Sequence, residues 1–429
     1  MSLGLTVTFA VFLGVALLGA PIGLAMLGAG FAYLFATHQD PGLVVDQVMN
    51  SLYASYVLIA VPLFIFVANI MGAGGVIERL MDFALALCGR FRGGLAHVNV
   101  VTNLIFSGMS GSAVADAAGP GLIIARMMIR DGRYGEGFAA ATSAASATIG
   151  PIVPPSIPMI FYAMIANTSV AAMFLGGLVP AAMMALALMA AIAVLARRKA
   201  LPAEAPSPWR AMPRIVLRAL PALALPGLLL AIIYSGIATP TEAAAIAASY
   251  ALVLTMLVYR TMTIAGLWHV IEETVRSIAT VGLIIVGAFM FNYIIANENV
   301  PQLLHGLLAA WRPGPVAFLL AVNVVFLVLA CVLDAITMLL ILVPLLVPLA
   351  TAIGIDPVHF GVVIILNMMI GLALPPHGLL LFVMHGLTRA PLGAIFREVL
   401  PLVAALLAVL LAVTLIPALA LALPHALGY

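Results

Sequence analysis

Charge is scarce in this chain. Of 429 residues only 7 % are Asp, Glu, Lys or Arg, while 65 % are hydrophobic; a soluble domain carries about 25 % charged residues. A core this apolar has too little polar surface to cover it, so most of the chain has lipid as its solvent. The same scarcity excludes a nucleic-acid binder and a disordered chain. Cysteine is scarcer still. Cys88 and Cys331 lie far apart in apolar runs, which excludes a disulfide scaffold and reads as small packing residues. No two His or Cys stand at ligand spacing on polar ground, so neither a transition metal nor an organic cofactor is expected. No basic residue precedes Arg79, so the positive start of a signal peptide is missing and the first apolar run reads as a retained span.

What is present is nearly continuous apolar sequence, divided by polar marks and helix breakers. A span needs about 20 apolar residues. Spans are expected near 3–20, 22–37, 52–72, 137–165, 170–196, 219–236, 242–259, 277–297, 358–385 and 395–423. The stretches 76–89, 262–276 and 300–311 are short and polar on one face, so they are expected to lie along the interface. Residues 197–218 carry six of the 17 basic residues and four prolines and read as a linker between two halves.

Residues 93–125 are 33 in number, too few for two crossings at about 20 each. Arginines flank both ends (Arg90 and Arg92; Arg126, Arg130 and Arg133). Basic residues gather on the cytoplasmic side, so the segment reads as a re-entrant hairpin turning at Ser107-Gly-Met-Ser-Gly-Ser112. Irregular backbone at that depth must be buried in protein or line a cavity.

The chain also repeats itself. Ile149-Gly-Pro-Ile-Val-Pro-Pro155 falls on Ile370-Gly-Leu-Ala-Leu-Pro-Pro376 at an offset of 221, and Asn103-Leu-Ile-Phe106 on Asn323-Val-Val-Phe326 at 220. Asp116 and Asp334 come out two residues from register. Each half is thus expected to hold an interfacial helix, a hairpin, a proline-broken span and a final span. Following the spans from the first hairpin puts 16 of 17 basic residues inside, all but Arg312, and opens the two hairpins to opposite sides. Both termini then face the periplasm. Halves of opposite orientation mark a transporter. The expected fold is an all-α polytopic membrane protein with an inverted repeat, two re-entrant hairpins and two broken spans.

Broken helices expose carbonyls suited to a hard cation and amides suited to a carboxylate. The first hairpin and break offer Ser107, Ser110, Ser112, Asp116, Thr148, Gly150 and Ser156; the second offer Asp334, Thr337, Asn367, Gly371 and His377. Carboxylates in lipid are functional by default, although either aspartate could cap a hairpin helix. Glu242, after Thr239-Pro-Thr241, reads as a cap. His97, His305, His359 and His425 read as interfacial residues. No Arg or Lys stands at a hairpin tip or a break, so helix ends, hydroxyls, amides and bound cations must hold an anion.

Five long motifs carry a family resemblance: GMSGSAVADAAGPG (108–121), ATIGPIVPPSIPMI (147–160), ATPTEAAAIAA (238–248), LDAITMLLILVPLLVP (333–348) and DPVHFGVVIILNMMIGLALPPHGLLLFV (356–383). In order, and over essentially the whole chain, they resemble the large membrane subunit of the TRAP (tripartite ATP-independent periplasmic) transporters. The resemblance implies a sodium-driven importer of organic acids in the bacterial inner membrane, working as an elevator. It also implies two partners, a four-helix membrane subunit, expected as a separate chain, and a periplasmic binding protein. Sodium is then expected at Ser107, Ser110, Gly111, Ser112, Thr148, Gly150, Pro151, Asp334, Thr337, Gly371 and Leu374. Substrate is expected at Asp116, Pro154, Pro155, Ser156, Asn367, Pro375, Pro376 and His377. Segments 1–92 and 219–312 are expected to form a scaffold, and 93–196 and 313–429 two transport units. Four positions depart from the family pattern: Leu374 where Thr is common, Leu380 for Asn, Ala335 for Glu, and His377 for an apolar residue.

Three other classes fit parts of the sequence. A channel would need neither coupling nor breaks in both halves, and an anion transporter working alone would need no binding protein. Gly108-Met-Ser-Gly111 matches the GxSG of rhomboid-type serine proteases, but a protease has no use for two matched breaks.

Overall fold

A computed structural model describes residues 2–429 apart from 55, 205–208, 301, 303–313 and 331–332. Among the described residues every regular element is helical. Seven helices are long and apolar enough to cross a bilayer, or eight if Glu136–Ile152 and Ile157–Ile165, bent by 42°, count as one span.

The N-terminal third begins with α1 (Leu3–Leu17) and α2 (Ile22–Ala36), packed on each other. A 12-residue helix, α3 (Leu43–Ala54), which the span pattern did not anticipate, leads into α4 (Ala60–Ala73). Gly75, at φ +65°, turns the chain into α5 (Val76–Cys88), the short amphipathic helix expected at 76–89. Cys88 is buried on its packing face, and Cys331 lies outside the described residues.

The hairpin follows as expected. Helix α6 (Gly94–Ser110) descends to Gly111, and the return arm runs from α7 (Ala113–Asp116) through a wide turn at Ala117–Gly121 into α8 (Leu122–Ile129). The first broken span is α9 (Glu136–Ala147) and α10 (Ile157–Ile165), and α11 (Val170–Arg198) closes the half.

The linker is shorter than expected, because α12 (Met212–Tyr234) takes its last seven residues. Pro213 sits in the first helical turn, where its missing N–H costs nothing. Next comes α13 (Pro240–Val253), capped by Thr239 and Glu242 in a reciprocal box. The expected interfacial helix 262–276 and span 277–297 are instead one helix, α14 (Ile264–Asn297), of 34 residues. Nothing between them breaks a helix, and the polar stretch stabilises itself through Arg276–Glu272 at 2.6 Å, an i,i+4 pair. At 1.5 Å per residue α14 is about 50 Å long, so its polar start projects beyond a core of about 30 Å. The helix expected at 300–311 lies outside the described residues.

In the second half, α15 (Pro315–Leu329) and α16 (Ala335–Ala352) form the other hairpin. The broken span is α17 (Pro357–Gly371) and α18 (Leu379–Thr388). The final span ends early: α19 (Leu392–Leu415) stops before Pro417, and α20 (Ala418–Ala426) follows.

The halves interlock reciprocally. The distal half-helix α10 packs on return arm α16, while α18 packs on the first return arm. Likewise α9 packs on α19, and α17 on α11. Each broken span is therefore completed by the other half, as an approximate two-fold requires.

Basic residues meet at one end. Arg79 lies 3.9 Å from the centre of the Tyr259 ring, whose hydroxyl donates to the Arg218 carbonyl at 3.0 Å. Arg133 pairs with Glu204 at 2.8 Å, and Lys199 with Glu398. At the end of α14 remote from Arg276, Glu298 accepts hydrogen bonds from Ser2 and Tyr33. The N-terminus therefore lies at the distal end of α14.

Candidate functional site

Short-range chemistry shapes the first hairpin tip. Gly111 ends α6 at φ +57°, a conformation that favours glycine. A Cβ there would also strike the Pro155 carbonyl. Ser112 then caps the return arm through Ala115 N at 3.4 Å. Asp116, wholly buried, accepts from Ser107 at 2.9 Å and from Ser110. A Cβ on Gly150 would run into the same carboxylate, so Asp116 sits directly against the first break. At that break Thr148 donates to the Ala145 carbonyl at 2.7 Å. Ser156 donates to the Pro151 carbonyl and caps α10 through Met159 N at 3.2 Å.

The second site uses the same parts in a different order. Asp334 caps α16, accepting from Ile336 N at 3.0 Å, Thr337 N at 3.1 Å and the Thr337 hydroxyl. Of the two aspartates it is the one that caps a hairpin helix. A Cβ on Gly371 would strike Ala330, so this glycine also lies beneath its hairpin tip. The break closes on itself: Leu374 O accepts from Gly378 N at 2.9 Å, and Leu372 O from Leu380 N at 2.9 Å. Both double prolines, Pro154-Pro155 and Pro375-Pro376, have a cis peptide bond between them.

Polar latches fasten each hairpin to its broken span. Asn99 donates to Ser143 at 2.6 Å in the first half. Asn367 donates to the Asn323 carbonyl and side-chain oxygens at 2.9 Å in the second, and Asn323 in turn donates to Thr414. In lipid such bonds pair amide hydrogens that would otherwise face hydrocarbon, while Asn367 Oδ1 stays buried without a partner.

The two tips and two breaks share one cavity of about 560 Å³. Ser110, Gly111, Ser112 and Pro151 reach it from the first half, Asp334 and Leu372 from the second. Asp116, Thr148, Ser156, Asn367 and Pro154-Pro155 lie buried behind its walls, whereas Pro376 and His377 are exposed and line no part of it. The opposite wall comes from α4 and α14, through Asn69, Ser277 and Thr280. These three were not singled out in the sequence; the signal was polar residues at helical spacing, Thr274, Ser277 and Thr280, with Thr274 bonded to Asn69 at 3.0 Å.

Four helix starts open on this cavity. They are Ala113 of the first return arm, Ile157 of α10, Ala335 of α16 and Leu379 of α18. Helix N-termini present the positive end of the dipole and first-turn amides, of which those of Ala115, Met159, Ile336 and Thr337 are taken by their caps. Among the described residues no Arg or Lys lines the cavity. The positive ends of these helices face it, and the carboxylate that lines it, Asp334, has both oxygens committed to a cap.

Residues 9–419 match the family described as the tripartite ATP-independent periplasmic transporter, DctM component. The chain belongs to this family. The sialic acid TRAP transporter large permease protein SiaM of Vibrio cholerae is 38 % identical over 419 residues, covering 97 % of this chain and 98 % of that one. The C4-dicarboxylate TRAP transporter large permease protein DctM of Pseudomonas aeruginosa is 38 % identical over 413 residues, covering 94 % of each. Among solved structures, the Alcanivorax borkumensis YdaH transporter superimposes with a TM-score of 0.57 at 16 % identity, over 82 % of this chain and 84 % of that one; this is a likeness of fold.

The chain is thus a multi-pass membrane permease of the TRAP type and not an enzyme. The GxSG serine, Ser110, bonds to Asp116 rather than to a histidine. Two histidines read as interfacial are buried instead: His359 is 2 % exposed and lies 2.8 Å from the Val413 carbonyl, and His97 is 4 % exposed. His425 is exposed, and His305 lies outside the described residues.

Proposed function

We propose that this permease imports an organic acid by sodium symport across the bacterial inner membrane. A periplasmic binding protein delivers the substrate, and a separate four-helix membrane subunit works with this chain. The observation that carries the reading is the convergence of four helix N-termini on one cavity without a basic side chain. Such a cavity holds a carboxylate through backbone amides and is completed by bound cations. The SiaM and DctM relatives are named for sialic acid and C4-dicarboxylates, both carboxylates.

Sodium binds at Ser107, Ser110, Gly111, Ser112, Thr148, Gly150 and Pro151 in the first half. In the second half it binds at Asp334, Thr337, Gly371 and Leu374. Hydroxyls that donate to Asp116 keep lone pairs for a cation, so the bonded state described above is compatible with a cation arriving beside it. Substrate meets the helix starts behind Ser112, Ser156, Asp334 and Gly378, with Asp116, Pro154, Pro155, Asn367, Pro375, Pro376 and His377 shaping the breaks around it.

The moving unit comprises 93–196 and 313–429, and the scaffold 1–92 and 219–312. Support for this division comes from the cavity itself, whose two walls belong to the two groups. The gathering of basic residues at one end supports a cytoplasmic face there and periplasmic termini.

The test is uptake by proteoliposomes holding the chain, its small partner and its binding protein, with sialic acid and succinate as the first labelled substrates. An inward sodium gradient is expected to drive accumulation that a choline gradient does not. Equal uptake under both gradients refutes sodium coupling.

A further inference from the structure

We propose that a second cavity, at the basic end of the molecule, binds the phosphate headgroup of an anionic phospholipid. It has a volume of about 570 Å³ and lies between the turn joining α5 to α6 and the last third of α11. Its walls are Phe91, Arg92, His97, Met189, Ala193 and Arg197, none of which lines the transport cavity.

Three observations point to an anion. Arg92 and Arg197 are both exposed at the rim, and among the described residues neither is in a salt bridge. Two acidic side chains of that end are engaged elsewhere, Glu204 with Arg133 and Glu398 with Lys199. His97 is 4 % exposed; its ring interacts with the Arg92 backbone, yet Nδ1 has no hydrogen-bond partner. A buried polar atom without a partner is costly, and here it belongs to a cavity whose other polar groups are two guanidinium ions. Phosphate oxygens accept from the two guanidinium groups, and a headgroup hydroxyl, such as phosphatidylglycerol carries, donates to the free ring nitrogen.

The remaining wall selects a lipid over a soluble phosphate. Met189, Ala193 and Arg197 are spaced by four and form one stripe of α11. Leu186, 67 % exposed, continues it away from the basic end. The stripe therefore passes from cation to exposed apolar side chain along α11, the order in which a phospholipid presents phosphate and acyl chain. Phe91, 45 % exposed with Arg90 5.5 Å from its ring centre, sits at the boundary.

The test is native mass spectrometry and thermal melting of the full chain with its small partner. Phosphatidylglycerol and phosphatidylcholine of the same acyl chains are titrated at fixed ionic strength. Phosphatidylglycerol is expected to bind saturably and at least about tenfold more tightly. Arg92→Ala with Arg197→Ala is expected to weaken it about thirtyfold, at the attraction typical of basic residues near an anionic surface. The control pair Arg210→Ala with Arg214→Ala removes the same charge from the same end outside the cavity and is expected to change nothing. Equal binding of the two lipids, or equal loss in both variant pairs, overturns the site. Displacement of phosphatidylglycerol by inorganic phosphate, but not by chloride, overturns the lipid as occupant and assigns a free phosphate. If the alanine pair fails to fold, His97→Gln replaces it: about fivefold weaker lipid binding with an unchanged lipid-free melting temperature is expected, and unchanged binding overturns the site.

Discussion

Single residues at the hairpin tips carry the sharpest consequences. Gly150→Ala places a methyl group against the Asp116 carboxylate. Overpacking of this kind costs about 1–3 kcal/mol, and uptake is expected to vanish with it. Gly386→Ala, in α18 with open space around it, is expected to raise stability by up to about 1 kcal/mol, as alanine replaces glycine inside a helix. Melting temperatures of the two variants should move in opposite directions. Asp334 allows a finer separation. Asn retains N-capping whereas Ala loses about 1 kcal/mol of it, so Asp334→Asn is expected to melt near wild type while responding less to sodium. An Asp334→Asn chain with an undiminished sodium response would reduce Asp334 to a cap.

At the scale of elements, the hairpin latches are the joints to break. Asn367→Leu removes both bonds to Asn323 and leaves the buried side-chain oxygen of Asn323 without a partner, a loss of about 1–3 kcal/mol. A lower melting temperature checks it, and an unchanged one would mean the contact is dispensable. Elements are also where the sequence was read best and worst. The first hairpin and both breaks were legible because arginines, glycines and prolines mark them with local chemistry. The join within α14 was not. A polar face followed by an apolar run reads as two helices, and only a continuous backbone shows that one helix projects from the membrane. Residues 43–54 were missed because Asp46, Gln47 and Asn50 dilute their apolar pattern. Asn69, Ser277 and Thr280 were overlooked for another reason: isolated polar residues in spans gain meaning only once a cavity places them together. Asp116 and Asp334 looked equivalent in the repeat, and the structure separates them into a buried acceptor of serine hydroxyls and a helix cap.

For the whole molecule, reciprocal packing makes each half incomplete alone, while α4 and α14 face both tips across the cavity. If the halves move against that wall, fixing it must stop transport. Ala68→Cys with Val114→Cys puts one thiol on each side of the cavity. Bridging them with mercuric ion is expected to abolish uptake, and excess thiol to restore it; full uptake in the bridged protein would refute the division into scaffold and moving unit. Coupling rests on the cation sites at the two hairpin tips, and melting tests them most directly. The full chain with its small partner is melted in sodium against choline at fixed ionic strength. A tenfold excess over the dissociation constant stabilises a folded protein by about 1.4 kcal/mol. A saturable rise in melting temperature is expected, and Ser110→Ala and Asp334→Ala should each weaken it. A cooperative melt that sodium does not move, or a rise that both variants leave intact, would contradict those sites.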